Sequence, residues 1–225
     1  MTTEDVTGIL ALIGGAEWRP GCDFDAELLE RSGGREVLVL PTAAAYERPE
    51  RAVATARAWF ERFGAEVRGL MVLSHADARA EANADAVRNA SFVYLGGGSP
   101  LHLLSVLKGS ELFEAIEQAW RAGAVVAGSS AGAMVLGDPM VDPRGGAFTV
   151  GLGLVEQLAV LAHYDPENTN NWRTLELAPP GVVVAGIPER TALVRDPGGK
   201  WRTAGEGEVA LRLDGETVTL ERLSS

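Results

Sequence analysis

Val125-Val126-Ala127-Gly128-Ser129-Ser130-Ala131-Gly132-Ala133-Met134 runs an apolar, β-branched stretch straight into Gly-x-Ser-x-Gly and then into small residues that a helix tolerates. Such a pattern predicts a strand that reverses sharply into a helix while lifting one hydroxyl clear of the backbone. Gly128 and Gly132 lack the side chains that would block so tight a turn around Ser130. The helix start then points free N–H groups and a positive dipole end at the place where an oxyanion would form. In isolation the same letters describe a glycine-rich turn around a buried serine. The strand before and the helix after favour a nucleophile elbow.

Outward from the elbow, short all-apolar runs alternate with helical periodicity. Ile9 to Ile13 ends in Gly14-Gly15, Val37 to Leu40 is closed by Pro41-Thr42, and Phe92 to Leu95 ends in Gly96-Gly97-Gly98. Ala65 to Leu73 reads as a further strand. Glu50 to Phe63, Ala78 to Ala90, Leu101 to Leu107 and Ser110 to Ala122 read as helices. This alternation predicts a three-layer α/β sandwich, with a mostly parallel sheet covered by helices on both faces. After about residue 145 the character changes. Val182–Ile187, Ala192–Arg195, Trp201–Thr203, Val209–Leu213 and Thr217–Leu220 read as strands, and Asp214-Gly215 is a strong hairpin signal. The expectation is C-terminal antiparallel hairpins that close the sheet. No repeat or linker interrupts residues 1–225, so the sequence reads as a single domain.

Composition narrows the class. A hydrophobic share of 46% against 23% charged residues describes a chain that folds around a core. The net charge of −11 disfavours nucleic acid and anionic membrane as partners. One cysteine, Cys22, cannot form an internal disulfide framework or a cysteine-rich metal cluster. The acidic start Met1-Thr2-Thr3-Glu4-Asp5 lacks the basic region of a signal peptide, so the expected location is cytoplasmic.

In such sheets the chemistry sits at the carboxyl ends of the strands. Gly96-Gly97-Gly98-Ser99-Pro100 is not a dinucleotide fingerprint, and no phosphate-loop lysine follows it. Its better use is to present the Gly98 N–H beside Ser130 as half of an oxyanion hole, with the Ala131 N–H as the other half. Gly97, Ser99 and His102, in the same turn and the helix after it, are candidate substrate contacts. Serine needs a base, and histidine titrates near neutrality. Of three histidines, His75 reads as a surface residue and His102 as a pocket candidate. His163 ends the apolar run Leu158–Ala162 at a strand mouth and is the favoured base. A third group must orient the imidazole. Glu189, on a turn between two strands, has Asp138, Asp142 and Asp165 as rivals.

Together these segments resemble the S51 peptidase family, which contains aspartyl dipeptidase (peptidase E) and cyanophycinase. The resemblance lies in Leu95-Gly96-Gly97-Gly98-Ser99, in Gly128-Ser129-Ser130-Ala131-Gly132-Ala133, and in Gly151-Leu152-Gly153-Leu154 leading to His163-Tyr164. Pro41-Thr42-Ala43-Ala44 and Gly186-Ile187-Pro188-Glu189-Arg190-Thr191-Ala192-Leu193 extend it over nearly the whole chain. The resemblance implies a class I glutamine-amidotransferase-like fold and a serine hydrolase without cofactor or metal. Ser130 is then the nucleophile, His163 the base and Glu189 the favoured acid. In the dipeptidase branch the acid follows the elbow more closely, where Asp142 is the nearest candidate. The loop Asp165-Pro166-Glu167-Asn168-Thr169-Asn170-Asn171-Trp172-Arg173 holds one arginine, where cyanophycinase carries a basic stretch suited to an aspartate–arginine polymer. Arg173 is expected to clamp a substrate carboxylate.

The reading that follows is a serine exopeptidase acting on short peptides. Cyanophycinase-like cleavage is the alternative within the class, and a catalytically silent binding protein of the same fold is the alternative outside it. The expected partners are a short peptide and, at most, a second copy of the chain.

Overall fold

The structure, a computed structural model, describes residues 7–224, so the acidic start read at Met1–Asp5 lies outside the described residues. The strands are β1 (Leu10–Ile13), β2 (Glu36–Leu40), β3 (Glu66–Gly69), β4 (Phe92–Leu95), β5 (Val125–Ser129), β6 (Gly137–Asp138), β7 (Met140–Val141), β8 (Phe148–Thr149), β9 (Val155–Glu156), β10 (Leu158–Ala162), β11 (Val183–Ile187), β12 (Thr191–Arg195), β13 (Trp201–Gly205), β14 (Ala210–Leu213) and β15 (Glu216–Thr217). The helices are α1 (Phe24–Ser32), α2 (Pro49–Phe60), α3 (His75–Ala78), α4 (Glu81–Arg88), α5 (Pro100–Leu107), α6 (Glu111–Arg121), α7 (Ala131–Leu136) and α8 (Thr169–Glu176).

The main sheet has seven strands in the order β13-β12-β1-β5-β4-β2-β3. β1 to β5 run parallel within it, and β12 and β13 add an antiparallel edge. Period-two alternation splits its side chains between two cores. Ile9, Ala11, Ile13, Val37, Val39, Phe92 and Tyr94 pack toward α1 and α2. Leu10, Leu12, Leu38, Leu40, Val93, Leu95 and Val126 pack toward α4 to α7 and the second sheet. The expected sandwich is thus present, with a mostly parallel sheet flanked by helices.

Several boundaries differ from the sequence reading. The strand expected to Leu73 stops at Gly69. The helix expected over 78–90 is two: Ser74 and Asp77 form a reciprocal capping box that starts α3, and α4 begins only at Glu81. Helix α1 carried no clear periodic signal, and the polar run read as a loop at 165–173 winds into α8 from Thr169. The C-terminal strands do not all close one sheet. Only β12 and β13 join the main sheet; β14 and β15 form the expected hairpin at Asp214-Gly215 but belong to a second sheet, ordered β15-β14-β11-β10-β6-β9.

Within that second sheet β10 and β11 are parallel, and Ala162 pairs with Ile187. This register sets the residues that follow each strand, His163 and Pro188-Glu189, side by side. In the main sheet Ile13 pairs with Ser129, so Gly14 and Ser130 emerge together. The two sheets meet there: the His163 N–H donates to the Gly14 carbonyl at 2.8 Å, and the Ser130 N–H donates to the Ile13 carbonyl at 2.9 Å.

Candidate active site

Ser130 sits at the turn between β5 and α7 with φ 49° and ψ −109°. That is a sparsely populated conformation for a side-chain-bearing residue, costing on the order of 1–3 kcal/mol. The close packing around it holds the strain. A Cβ on Gly132 would lie 2.3 Å from the Leu95 carbonyl oxygen, and one on Gly128 would lie 2.6 Å from the Gly132 backbone. Strand, turn and helix therefore approach as the Gly-x-Ser-x-Gly spacing requires.

Ser130 Oγ lies 2.9 Å from His163 Nε2, and His163 Nδ1 lies 3.0 Å from Glu189 Oε1. The two ring nitrogens thus engage a hydroxyl on one side and a carboxylate on the other. The structure brings together the three residues that the sequence singled out from separate elements. The imidazole and the Glu189 carboxylate are about half exposed, at 50% and 54% of their side-chain surface. Their pairing is not sealed from water.

The rival acids are engaged elsewhere. Asp138 Oδ1 accepts the Gly151 N–H at 2.8 Å, and Asp165 Oδ1 accepts the Glu167 N–H at 2.9 Å. Asp142 is gripped by the Arg144 guanidinium, whose hydrogen bonds hold its carboxyl down at about 2.

The glycine turn after β4 is tethered at three of its amides. The Gly96 N–H donates to the Leu40 carbonyl, the Gly97 N–H to Glu17 Oε1 and the Ser99 N–H to the Ala43 carbonyl, at 3.1, 3.0 and 2.8 Å. Between them the Gly98 N–H has no acceptor among the described residues. Ala131 opens α7, so its N–H has no intrahelical acceptor either.

Gly98, Ser130 and His163 border a cavity of about 530 Å³, whose far wall carries Arg144, Asn171 and Arg173. On the opposite side His163 and Glu189 border a second, polar recess of about 550 Å³ with Glu17, Arg19, Glu47 and Arg51. Arg173, exposed on α8, lines the first cavity.

Three expected substrate contacts have other partners. The Gly97 N–H is taken by Glu17, and Ser99 Oγ caps α5 by accepting the His102 N–H at 3.3 Å. The His102 ring turns away, with Nε2 3.0 Å from the Leu73 carbonyl and the His102 and Tyr46 ring centroids 4.9 Å apart in a T-shaped arrangement. Capping a helix N-terminus is a preferred use of a serine hydroxyl, and here it takes one acceptor site of Ser99 Oγ. His75 Nδ1 meets the Val106 carbonyl at 2.9 Å on the surface. Among the described residues no group of three or more His, Cys, Asp or Glu side chains is placed to hold a metal ion, and no helix is long and apolar enough to cross a membrane.

Two site residues escaped the sequence reading. Gly15 was visible as part of a glycine-rich strand end, but not as the floor beneath His163. Glu17 lies in no motif, and only the fold brings it to the Gly97 and Ser129 that it contacts.

The family model for peptidase family S51 matches residues 10–200. A cyanophycinase from Synechococcus elongatus is 27% identical over 219 residues, covering 91% of this chain and 67% of the relative. One from Trichormus variabilis is 28% identical over 225 residues, covering 94% and 76%. The crystal structure of a peptidase from an acI-B1 Actinobacterium matches with a TM-score of 0.82 at 30% identity, over 95% of this chain and 97% of that one. A putative peptidase E from Listeria monocytogenes EGD-e shares the fold, with a TM-score of 0.65 at 20% identity over 92% and 98%. The chain belongs to peptidase family S51 and is a serine-type peptidase.

Proposed function

We propose that the chain is a cytoplasmic serine exopeptidase of one domain that acts on short peptides through Ser130, His163 and Glu189. The observation that carries this reading is the unbroken hydrogen-bond chain from Ser130 Oγ through both ring nitrogens of His163 to Glu189 Oε1. His163 Nε2 takes the Ser130 proton as Oγ attacks the scissile carbonyl, and later returns it to the leaving amine. Glu189 holds the tautomer with the proton on Nδ1 and stabilises the imidazolium. The free N–H groups of Gly98 and Ala131 receive the developing oxyanion. Water then hydrolyses the acyl-enzyme by the same relay. Arg173 provides a cation for a substrate carboxylate in the wall of the cavity.

A second reading, hydrolysis of an aspartate–arginine polymer, is favoured by the cyanophycinase relatives alone. Against it, the segment after His163 carries the single arginine Arg173.

The test is Ser130→Ala in a folded protein, with kcat measured on a panel of dipeptides and blocked peptides. A loss on the order of 10⁶ is expected. A fluorophosphonate should label the wild type at Ser130. Near-wild-type hydrolysis by Ser130→Ala would sink the mechanism, and release of dipeptides from insoluble cyanophycin would select the second reading.

A further inference from the structure

Glu17 holds together the two segments on which catalysis depends. It follows β1 by four residues, in a tight loop where Ala16 and Trp18 both take positive φ, 52° and 58°. Such a conformation is unusual for residues with side chains, and here it turns the Glu17 carboxylate inward. Oε2 accepts the hydroxyl of Ser129 at 2.8 Å, and Oε1 accepts the Gly97 N–H at 3.0 Å. Ser129 is fully buried and immediately precedes the nucleophile. Gly97 immediately precedes the turn's one unclaimed amide, that of Gly98. A Cβ at Gly97 would meet Glu17 Oε1 at 3.0 Å on one side and Ser130 Cβ at 3.5 Å on the other. The Gly97 backbone is thus clamped between the carboxylate and the nucleophilic residue.

These contacts have a geometric consequence. The elbow and the glycine turn come from different strand ends, β5 and β4, and an oxyanion hole built from both works only if their relative position is fixed to a fraction of an ångström. Strand pairing fixes it as far as Leu95 and Gly128, which are register partners. Beyond that point the sheet ladder has ended. Glu17 is the side chain that spans the gap, one oxygen to each segment.

We infer that Glu17 is a positioning residue for the oxyanion hole, bracing the Gly97-Gly98 turn against the Ser129-Ser130 elbow. The inference rests on the serine mechanism proposed above. It concerns hydrogen-bond geometry and not charge, since a carboxylate behind an oxyanion site is electrostatically unfavourable. Glutamine can make both contacts, accepting from Gly97 with its oxygen and donating to Ser129 Oγ with its amide.

The experiment compares wild type, Glu17→Ala, Glu17→Gln and Ser129→Ala for kcat, KM, thermal stability and inhibition by a peptide boronate, which forms a tetrahedral adduct with a catalytic serine. Glu17→Ala should lose roughly 10²-fold in kcat with KM little changed, and boronate affinity should fall in parallel. Glu17→Gln should recover most of both. Ser129→Ala, which removes one of the two contacts, should fall between them, and it carries the test should Glu17→Ala fail to fold. Wild-type kcat in Ser129→Ala or in a folded Glu17→Ala, or a Glu17→Gln as impaired as alanine, would overturn the brace. Fluorophosphonate labelling of wild type separates the two layers. Labelling at Ser130 with an unaffected Glu17→Ala refutes the brace alone, whereas no labelling at Ser130 refutes the serine mechanism and the brace with it.

Discussion

Gly15→Ala should silence the enzyme while leaving it folded. The new methyl carbon would lie 2.2 Å from Cε1, 2.7 Å from Nδ1 and 2.8 Å from Nε2 of His163, where ordinary contact begins at 3.4 Å. The ring must therefore retreat by about 1 Å or more. The His163 backbone cannot follow, because its N–H is bonded to the Gly14 carbonyl at 2.8 Å. The retreat must come from side-chain rotation, which the half-exposed ring can make into solvent. Rotation breaks the 2.9 Å contact to Ser130 and the 3.0 Å contact to Glu189 together. A misplacement of about 1 Å costs roughly 10²-fold, and loss of the general base up to about 10⁴-fold, so kcat should fall within that range. Gly15 has φ +133°, and a side chain there adds on the order of 1–3 kcal/mol of strain. That is tolerable for a domain with about 5–15 kcal/mol of stability. The assay is kcat and KM on a cleaved dipeptide, run beside a thermal melt. The same substitution in a His163→Ala background should cost no further activity, because the ring it displaces is gone. A folded Gly15→Ala with wild-type kcat, or an additive loss in the double variant, would refute the reasoning.

Asp25→Asn should stabilise the protein in a pH-dependent way. Asp25 is fully buried; its Oδ2 accepts Trp59 Nε1 at 2.9 Å, while its Oδ1 has no partner. Burial pushes its carboxyl well above the usual carboxylate range, so the fold favours the neutral acid. Stability is then lost as pH rises above the unfolded value of about 3.9, where the unfolded chain ionises and the folded one resists. The Tm gain of Asp25→Asn should be largest near neutral pH and shrink toward about pH 4; a gain independent of pH would contradict this. Glu189→Gln should lower kcat by about 10²- to 10⁴-fold, less than Ser130→Ala, since the residue orients the base and forms no bond to substrate. An effect as small as that of Asp142→Asn would reassign the acid. Arg173→Ala should raise KM for peptides presenting a carboxylate to the cavity and leave kcat nearly intact. Steady-state kinetics on free and amidated peptides would expose the opposite split.

The residues from Val125 to Met134 determined the elbow by themselves, because a buried strand, a Gly-x-Ser-x-Gly turn and a helix start are all local properties of neighbouring residues. The alternation of apolar runs and helical periodicity likewise determined the parallel sandwich, since burial on both faces requires strands without polar alternation. Ser130, His163 and Glu189 were legible as candidates because glycine-rich turns and apolar strand ends mark where side chains emerge into a crevice. Local sequence left the acid open among Glu189, Asp138, Asp142 and Asp165. The parallel register of β10 with β11 sets Glu189 beside His163, while the three aspartates have other partners. Ser99 and His102 looked available from their position after a glycine turn, yet capping α5 and meeting the Leu73 carbonyl engaged them. The helix over 169–176 was hidden in a polar run because the polar Asn171 and Thr174 are the buried residues among those described in it, with Leu175 packed partly buried against the core. Glu17 and Gly15 were invisible in role, because their partners lie 80 or more residues away in sequence, in one case, and across two sheets in the other. Residue type and local period are written in the chain. Which polar group satisfies which is settled only when distant segments are desolvated together and each buried donor must find an acceptor.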